Sequence, residues 1–464
     1  MRLKYLILTY IFISLSSILF AQQKLTVEMA RDMALKNNKQ VAIASENREI
    51  AKNSVKVYRA NFLPKFSATG NYLLTTASLE KKIDAFHLPT FVPDATGQLV
   101  PNILTTVDGI PVFKEYAYFP GMDLSLKPNG TYITGLSVEM PIYVGGKISS
   151  AYKMSKIGVE MARLNETKTQ NEVILLADQA YWTYVETLEL EKTAQMYIDL
   201  VKQLEKDVTN LYNVGMVPRN DLLKVQVKLN EIELQLLRAE NGVRLSKMNL
   251  CHVVGLPLNS DITVDQELGC DAKKDFPMPN LFSRPEYELL SKQIEIKEQQ
   301  VQIVKSDFLP RLGIAGSMNY ANGLKLNDNM LLDNTALSAV VSVSIPVFHW
   351  GEGRNKVRNA ISEKKLASLQ RDELAEKMEL EIQKTLHEFN EAEARVRLTK
   401  NSLNQAEENL RESRDRYQLG LEKLSDLLEA QAMWQKARSE MISANSAYKI
   451  AETSYLKAAG RIEN

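Results

Sequence analysis

Four histidines are the first residues to test for chemistry, and their spacing does not support it. His87, His252, His349 and His387 lie far apart. His387 is followed by Glu388 but lacks the second histidine that a zinc-binding helix needs. Gly351-Glu352-Gly353 lacks the third glycine of a dinucleotide loop. The two cysteines, Cys251 and Cys270, either close a short disulfide loop in an oxidising compartment or remain buried thiols. Asp221 and Asp426 each follow a glycine-centred turn, beside Asn220 and Ser425, which are natural N-caps. An acid in the first turn of a helix contributes about 0.3 to 1 kcal/mol through the helix dipole. These residues define no catalytic, cofactor or metal set, so the chain does not read as an enzyme, and the question becomes what its long elements build.

The chain repeats itself. Tyr212 to Gln226 returns as Tyr417 to Gln431 at an offset of 205, which also carries Pro141 onto Pro346, Gly146 onto Gly351, Gly215 onto Gly420 and Asp221 onto Asp426. Phe62-Leu63-Pro64-Lys65 returns as Phe308-Leu309-Pro310-Arg311 at an offset of 246, so the first copy carries 41 extra residues between Pro64 and Pro141. An internal duplication of this length fixes the architecture, because one unit is solved and applied twice. The sequence divides into a signal peptide at 1–21, a first repeat at 22–258, a linker at 259–283 and a second repeat at 284–464.

The signal peptide is read from a basic start, Met1-Arg2-Leu3-Lys4, an apolar run from Leu6 to Phe20 and a polar Ala21-Gln22-Gln23. The mature chain is therefore expected to be exported. No later stretch is apolar enough to cross a bilayer as a helix, so membrane insertion would have to use strands. Charge is balanced at 57 basic and 57 acidic residues, which gives nucleic acid no basic stripe to bind.

Between Gly146 and Gly215, and again between Gly351 and Gly420, lie 68 residues without proline. Each stretch predicts a helical rod of about 100 Å. Ala375, Ile382, Phe389, Val396, Leu403, Leu410 and Tyr417 recur at sevens, as do Val173, Ala180, Thr187, Ala194, Val201 and Val208 in the first copy. A sustained period of seven imposes a left-handed supercoil, so the rods are expected to pack as coiled coils. After each glycine turn a second helix returns, over about 220–254 and 425–460, and the last carries Ala430, Ala437, Ala444, Ala451 and Ala458 as a small-residue seam.

Pro64 and Pro310 end helical segments and are followed by period-two alternation. Phe66 to Leu74 and Tyr132 to Met140 form one pair of runs, Leu312 to Tyr320 and Leu337 to Ile345 the other. Runs of about ten residues suit tilted membrane strands, and equally a hairpin packed on helices. Phe62, Phe66 and Tyr143, with Phe308, Phe348 and Trp350, sit where an interface girdle belongs and favour the membrane. Four strands cannot close a barrel, since the smallest membrane barrels need about 8. An open edge in lipid leaves backbone groups unpaired, so the barrel must be shared between chains. The insertion from about 75 to 130 holds Pro89, Pro93, Pro101, Pro111, Pro120 and Pro128 and is expected to be a loop or small lid facing outward.

The ordered set of marks resembles the TolC-like outer membrane factor family. It comprises Leu25 to Ala30 opening the first helix, both Phe-Leu-Pro entries, the exits Met140-Pro141-Ile142-Tyr143 and Ile345-Pro346-Val347-Phe348, and the Val214-Gly215 and Leu419-Gly420 turns. The resemblance implies a mainly α protein with β: a homotrimer whose twelve-stranded barrel, four strands per chain, sits in outer membrane lipid and continues as an α-helical coiled-coil barrel. It also implies a passive export duct coupled to an inner-membrane pump through a periplasmic adaptor, with no cofactor. The family's acidic gate rings match Asp426 and Glu429, with Asp221 in the first copy, and Tyr417 matches a position that ties the closed helices together. The basic partner that the family carries two residues after the second glycine is Glu422 here, leaving Arg416 or Lys423 as substitutes. The turns Val214-Gly215-Met216 and Leu419-Gly420-Leu421 resemble the tips that adaptors grip. A soluble periplasmic coiled-coil scaffold or adaptor is the alternative reading.

Overall fold

Proline-free sequence between turn-forming glycines produces the longest elements. The computed structural model describes residues 24–264 and 278–462; the expected signal peptide and Cys270 lie outside the described residues. The helices are α1 (Val27–Asn37), α2 (Lys39–Ala60), α3 (Lys147–Asn213), α4 (Arg219–Val253), α5 (Pro285–Ser306), α6 (Glu352–Gln418) and α7 (Leu424–Ala458). The two rods α3 and α6 are 67 residues each, and the returning helices α4 and α7 are 35 each. Equal lengths in both copies follow from the gapless offset of 205.

The described residues fall into two compact units that cut across the repeats. The described parts of 1–56, 151–301 and 358–464 form a helical unit, and 57–150 with 302–357 form a strand unit. The heptad positions of the helical unit are its core. Val173, Ala180, Ala194, Val201 and Val208 on α3 are buried, as are Ile382, Phe389, Val396 and Leu403 on α6. Near the turns Val201 and Val208 pack with Val225 and Ile232 of α4, Leu403 and Ala406 of α6, and Leu424 and Leu427 of α7. The alanine seam is buried at Ala430, Ala437, Ala444 and Ala458 and half-buried at Ala451.

Both helical hairpins turn in the same way. Gly215 sits at φ +77 and Gly420 at φ +74. Met216 N–H donates to Leu211 O at 2.8 Å, and Leu421 N–H donates to Arg416 O at 2.9 Å. This closure needs a residue in left-handed conformation, which glycine adopts at little cost. The returning helices begin earlier than the N-cap reading expected: the caps are Pro218 and Lys423, with no side-chain cap bond. Asn220 and Ser425 therefore lie inside the first turn and are not caps. Proline's fixed φ and missing N–H set the start of α4 without a capping oxygen.

In the strand unit the strands are β1 (Lys65–Leu73), β2 (Leu79–Ile83), β3 (Phe86–Pro89), β4 (Phe91–Pro93), β5 (Leu99–Pro101), β6 (Ile103–Val107), β7 (Ile110–Phe113), β8 (Tyr116–Phe119), β9 (Met122–Lys127), β10 (Thr131–Val144), β11 (Arg311–Asn322), β12 (Lys325–Leu326), β13 (Asn329–Met330) and β14 (Asp333–Ser344). The long ones form an antiparallel sheet in the order β1-β10-β11-β14. The insertion, expected as a loop, is a set of short hairpins instead. Three of its six prolines close strands: Pro89, Pro93 and Pro101 are the last residues of β3, β4 and β5. Proline is tolerated at strand ends, where its missing N–H breaks no ladder. Asp108 and Gly109, both with positive φ, make the two-residue turn between β6 and β7.

Candidate functional site

The four-stranded sheet separates chemistry by face, because alternate residues point to opposite sides. Register puts Phe66, Val138, Gly316 and Ala339 in one row, and Ala68, Leu136, Met318 and Leu337 in the next. Phe66, Leu136, Leu337 and Val341 on this face are exposed. On the opposite face Ser67, Ser137, Ser317 and Ser338 share one row across all four strands. Their hydroxyls meet in pairs, Ser67 with Ser137 at 2.7 Å and Ser317 with Ser338 at 2.8 Å. Asn319 donates to Ser317 at 3.1 Å and its side chain lies over Gly135, where a Cβ would collide with it. One face is thus mainly apolar, and the other carries small hydroxyls and amides, with Lys65 opposite Glu139 and Arg311 at its base.

A second aromatic row, not singled out as a girdle from the sequence, lies at the far end of the apolar face. Tyr72 pairs with Tyr132, whose ring is 5.9 Å from that of Tyr320. Six residues separate Phe66 from Tyr72, or about 20 Å of strand. That is close to the apolar band of about 25 Å between the aromatic girdles of membrane barrels. The six-residue interval within an alternating run was the available sequence signal. The outer edges of the sheet, β1 and β14, have no partner on one side.

Three of the four candidate gate residues line two adjoining clefts, which share Gly420, Glu422 and Lys423, near the turns of the helical unit. Tyr417 is half-buried and shares a cleft of about 510 Å³ with Asp221, Leu211 and Met216. Burial pushes its phenol above the ordinary value, and Asp221 and Asp207 add to the shift. Asp221 is held by Lys224 at 3.1 Å. Asp426 is exposed and borders a different cleft, of about 520 Å³, with Glu412, Arg416 and Glu422. Glu429, on α7, is exposed. Asp221 and Tyr417 therefore line one cleft, Asp426 lines the adjoining one, and Glu429 lines neither.

Glu422 folds back onto its own hairpin, accepting the Ser413 hydroxyl and lying 3.5 Å from Arg416. Its counterpart in the first copy, Val217, packs into the apolar cluster instead. At the turns Val214, Met216, Leu419 and Leu421 are each about 70 % exposed, giving two matched apolar tips. Cys251 is buried, with its thiol 3.8 Å from Ser260 O.

Amphipathic strands of membrane length and long helical hairpins are the elements of a TolC-like fold. The sequence pattern of the Outer membrane efflux protein family matches residues 30–256 and 285–461, and the chain belongs to that family. It is 21 % identical over 285 residues to the alkaline protease secretion protein AprF of Pseudomonas aeruginosa, covering 58 % of this chain and 56 % of that one. It is 24 % identical over 242 residues to the outer membrane efflux protein BepC of Brucella suis, covering 46 % and 52 %. The matches thus span about half the length of these relatives. The Campylobacter jejuni CmeC outer membrane channel superposes with a TM-score of 0.72 at 20 % identity, covering 94 % of this chain and 87 % of that one. The open-state Neisseria gonorrhoeae MtrE channel gives 0.69 at 15 %, covering 94 % and 88 %. The protein is an outer membrane channel-family member, and its relatives are channels rather than enzymes.

Proposed function

We propose that three copies of this chain form one passive export duct, with a twelve-stranded barrel in the outer membrane continued by a helical tunnel. The observation that carries this reading is the four-stranded amphipathic sheet with both edges open. In lipid an open edge costs several kcal/mol per unpaired group, which another copy's strand removes. Exposed apolar residues at heptad spacing on α2, Ile43, Ile50 and Val57, support helix-to-helix contact between copies as well.

The matched apolar turns at Gly215 and Gly420 support docking of a periplasmic adaptor that joins the duct to an inner-membrane pump. The exposed Asp426 and Glu429 support a gate: three copies converging on one axis would crowd six carboxylates into a narrow passage, where multivalent cations gain by bridging them. One relative is named for protease secretion and another for efflux, so both exported proteins and small solutes lie within the reading.

Crosslinking of the purified full-length protein tests assembly, with a covalent trimer expected. A stable monomer in detergent, or release from membranes by a high-salt wash, would overturn the duct in favour of a peripheral scaffold.

A further inference from the structure

The strands beyond the long hairpins form a second sheet, in the order β13-β12-β9-β2. Each long strand is continued by a short one in the same sequence: β1 runs into β2, β9 into β10, β11 into β12 and β13 into β14. The break falls where Gly323 approaches Gly130 so closely that a Cβ would lie 2.4 Å from the Gly130 carbonyl oxygen. Past the break the two hairpin tips remain joined, by Lys127 to Asp328 at 2.9 Å and by the Asn327 side chain accepting from Ser125 N–H at 2.7 Å.

The two open edges of this second sheet differ in charge. The β2 edge carries Lys81 and Lys82 beside a single acid, Glu80, all three exposed; neither lysine is in an ion pair among the described residues, and Lys82 stands opposite Asp123 in register. The β13 edge is flanked by Asp328, whose side chain is 78 % exposed, and by Asp333, which accepts the Tyr320 hydroxyl. Lysine on an edge strand commonly discourages pairing. That alone does not account for acids flanking the opposite edge of the same sheet.

We propose that the occupant of these edges is a second copy of this chain. Lys81 and Lys82 of one copy face Asp328 and Asp333 of the next, so the wall continues above the membrane as a collar. This rests on the shared-barrel reading, since β1 and β14 carry β2 and β13 to the same seams.

Two cysteine pairs in full-length protein in outer membranes test it. Lys81→Cys with Asn329→Cys reports the collar, and Asn71→Cys with Asn334→Cys reports the barrel. Within one chain the paired edges stand about 14 Å apart, three strand spacings, beyond disulfide reach. Oxidation of the collar pair should therefore give covalent dimers and trimers, with each single variant as control. Adding Lys82→Asp should lower the yield about fivefold at low salt, and Asp328→Lys with Asp333→Lys should restore it. If the barrel pair crosslinks and the collar pair does not, the collar is overturned and the duct stands. If neither crosslinks, the shared barrel falls with it. A yield indifferent to charge reversal would refute the electrostatic pairing.

Discussion

Removal of Arg31 should loosen the N-terminal helix from the helical unit more than removal of its partner Asp178 does. Asp178, on α3, is fully buried, while the Arg31 side chain on α1 is about one-third exposed. The guanidinium meets both carboxylate oxygens, Nε to Oδ1 at 2.7 Å and the terminal nitrogen to Oδ2 at 2.6 Å. Thr453 of α7 donates its hydroxyl to the same Oδ2. One carboxylate thus ties three helices. Breaking a buried pair by deleting one partner costs about 3 to 5 kcal/mol, because the survivor is left charged and unpaired.

Arg31→Ala leaves the fully buried carboxylate, among the described residues, with the Thr453 hydroxyl, so the cost should be about 4 kcal/mol. Asp178→Ala strands a guanidinium that can still reach water, so about 2 kcal/mol is expected, the Thr453 hydroxyl keeping Lys449 O at 3.4 Å as an acceptor. Amide hydrogen exchange over residues 27–37 reads this locally, since helix opening is governed by its own free energy. The expected acceleration is about 10³-fold for Arg31→Ala and about 30-fold for Asp178→Ala, at about 1.4 kcal/mol per tenfold. A smaller effect for Arg31→Ala than for Asp178→Ala, or less than tenfold for both, would refute the account of the buried carboxylate.

Tyr197 is buried, its hydroxyl has no partner among the described residues, and burial with Glu231 nearby pushes its phenol up to about 12. A folded value above the unfolded value of about 10 gives stability that is intact below pH 10 and lost as pH rises toward 12. Tyr197→Phe should therefore be neutral or stabilising at pH 7 and flatten that alkaline loss in thermal melts. Gly255→Ala should cost upwards of about 2 kcal/mol in melts, because φ is +77 and the Cβ would lie 2.5 Å from that of Asn37. Gly215→Ala, with a similar φ but open space, should cost about 1 kcal/mol. For the gate, Asp426→Ala with Glu429→Ala should weaken cation preference and block by trivalent cations in planar bilayers while the trimer survives; unchanged conduction with lost thermal stability would reassign both acids to the helix itself. A tag at Gly109 should be reachable from outside intact cells and one at Gly420 should not; equal labelling of both would sink the topology.

Much of the architecture was legible because it is periodic. Heptads at Val173 to Val208 and Ile382 to Leu403, period-two runs after Pro64 and Pro310, and glycines at 215 and 420 each state a local rule that the backbone obeys without distant help. The strands of the insertion were missed because prolines read as loop signals stand at strand ends, as Pro89, Pro93 and Pro101 do, or within a strand, as Pro111 does, a distinction that depends on where hydrogen-bonding partners fall. The caps were misplaced because Pro218 begins its helix by fixed φ rather than by an accepting oxygen.

The sequence by itself determined the duplicated hairpins, the rods and strands, and the apolar tips, since these follow from spacing along the chain. Only the tertiary structure decided that four serines align in one row, that Tyr417 shares a cleft with Asp221 while Asp426 lines the adjoining one, and that Glu422 turns back onto Ser413 and Arg416. It also revealed that Arg31 reaches Asp178 across 147 positions. Such meetings depend on register between strands and on which faces of packed helices oppose one another. No residue's own neighbourhood in sequence encodes either.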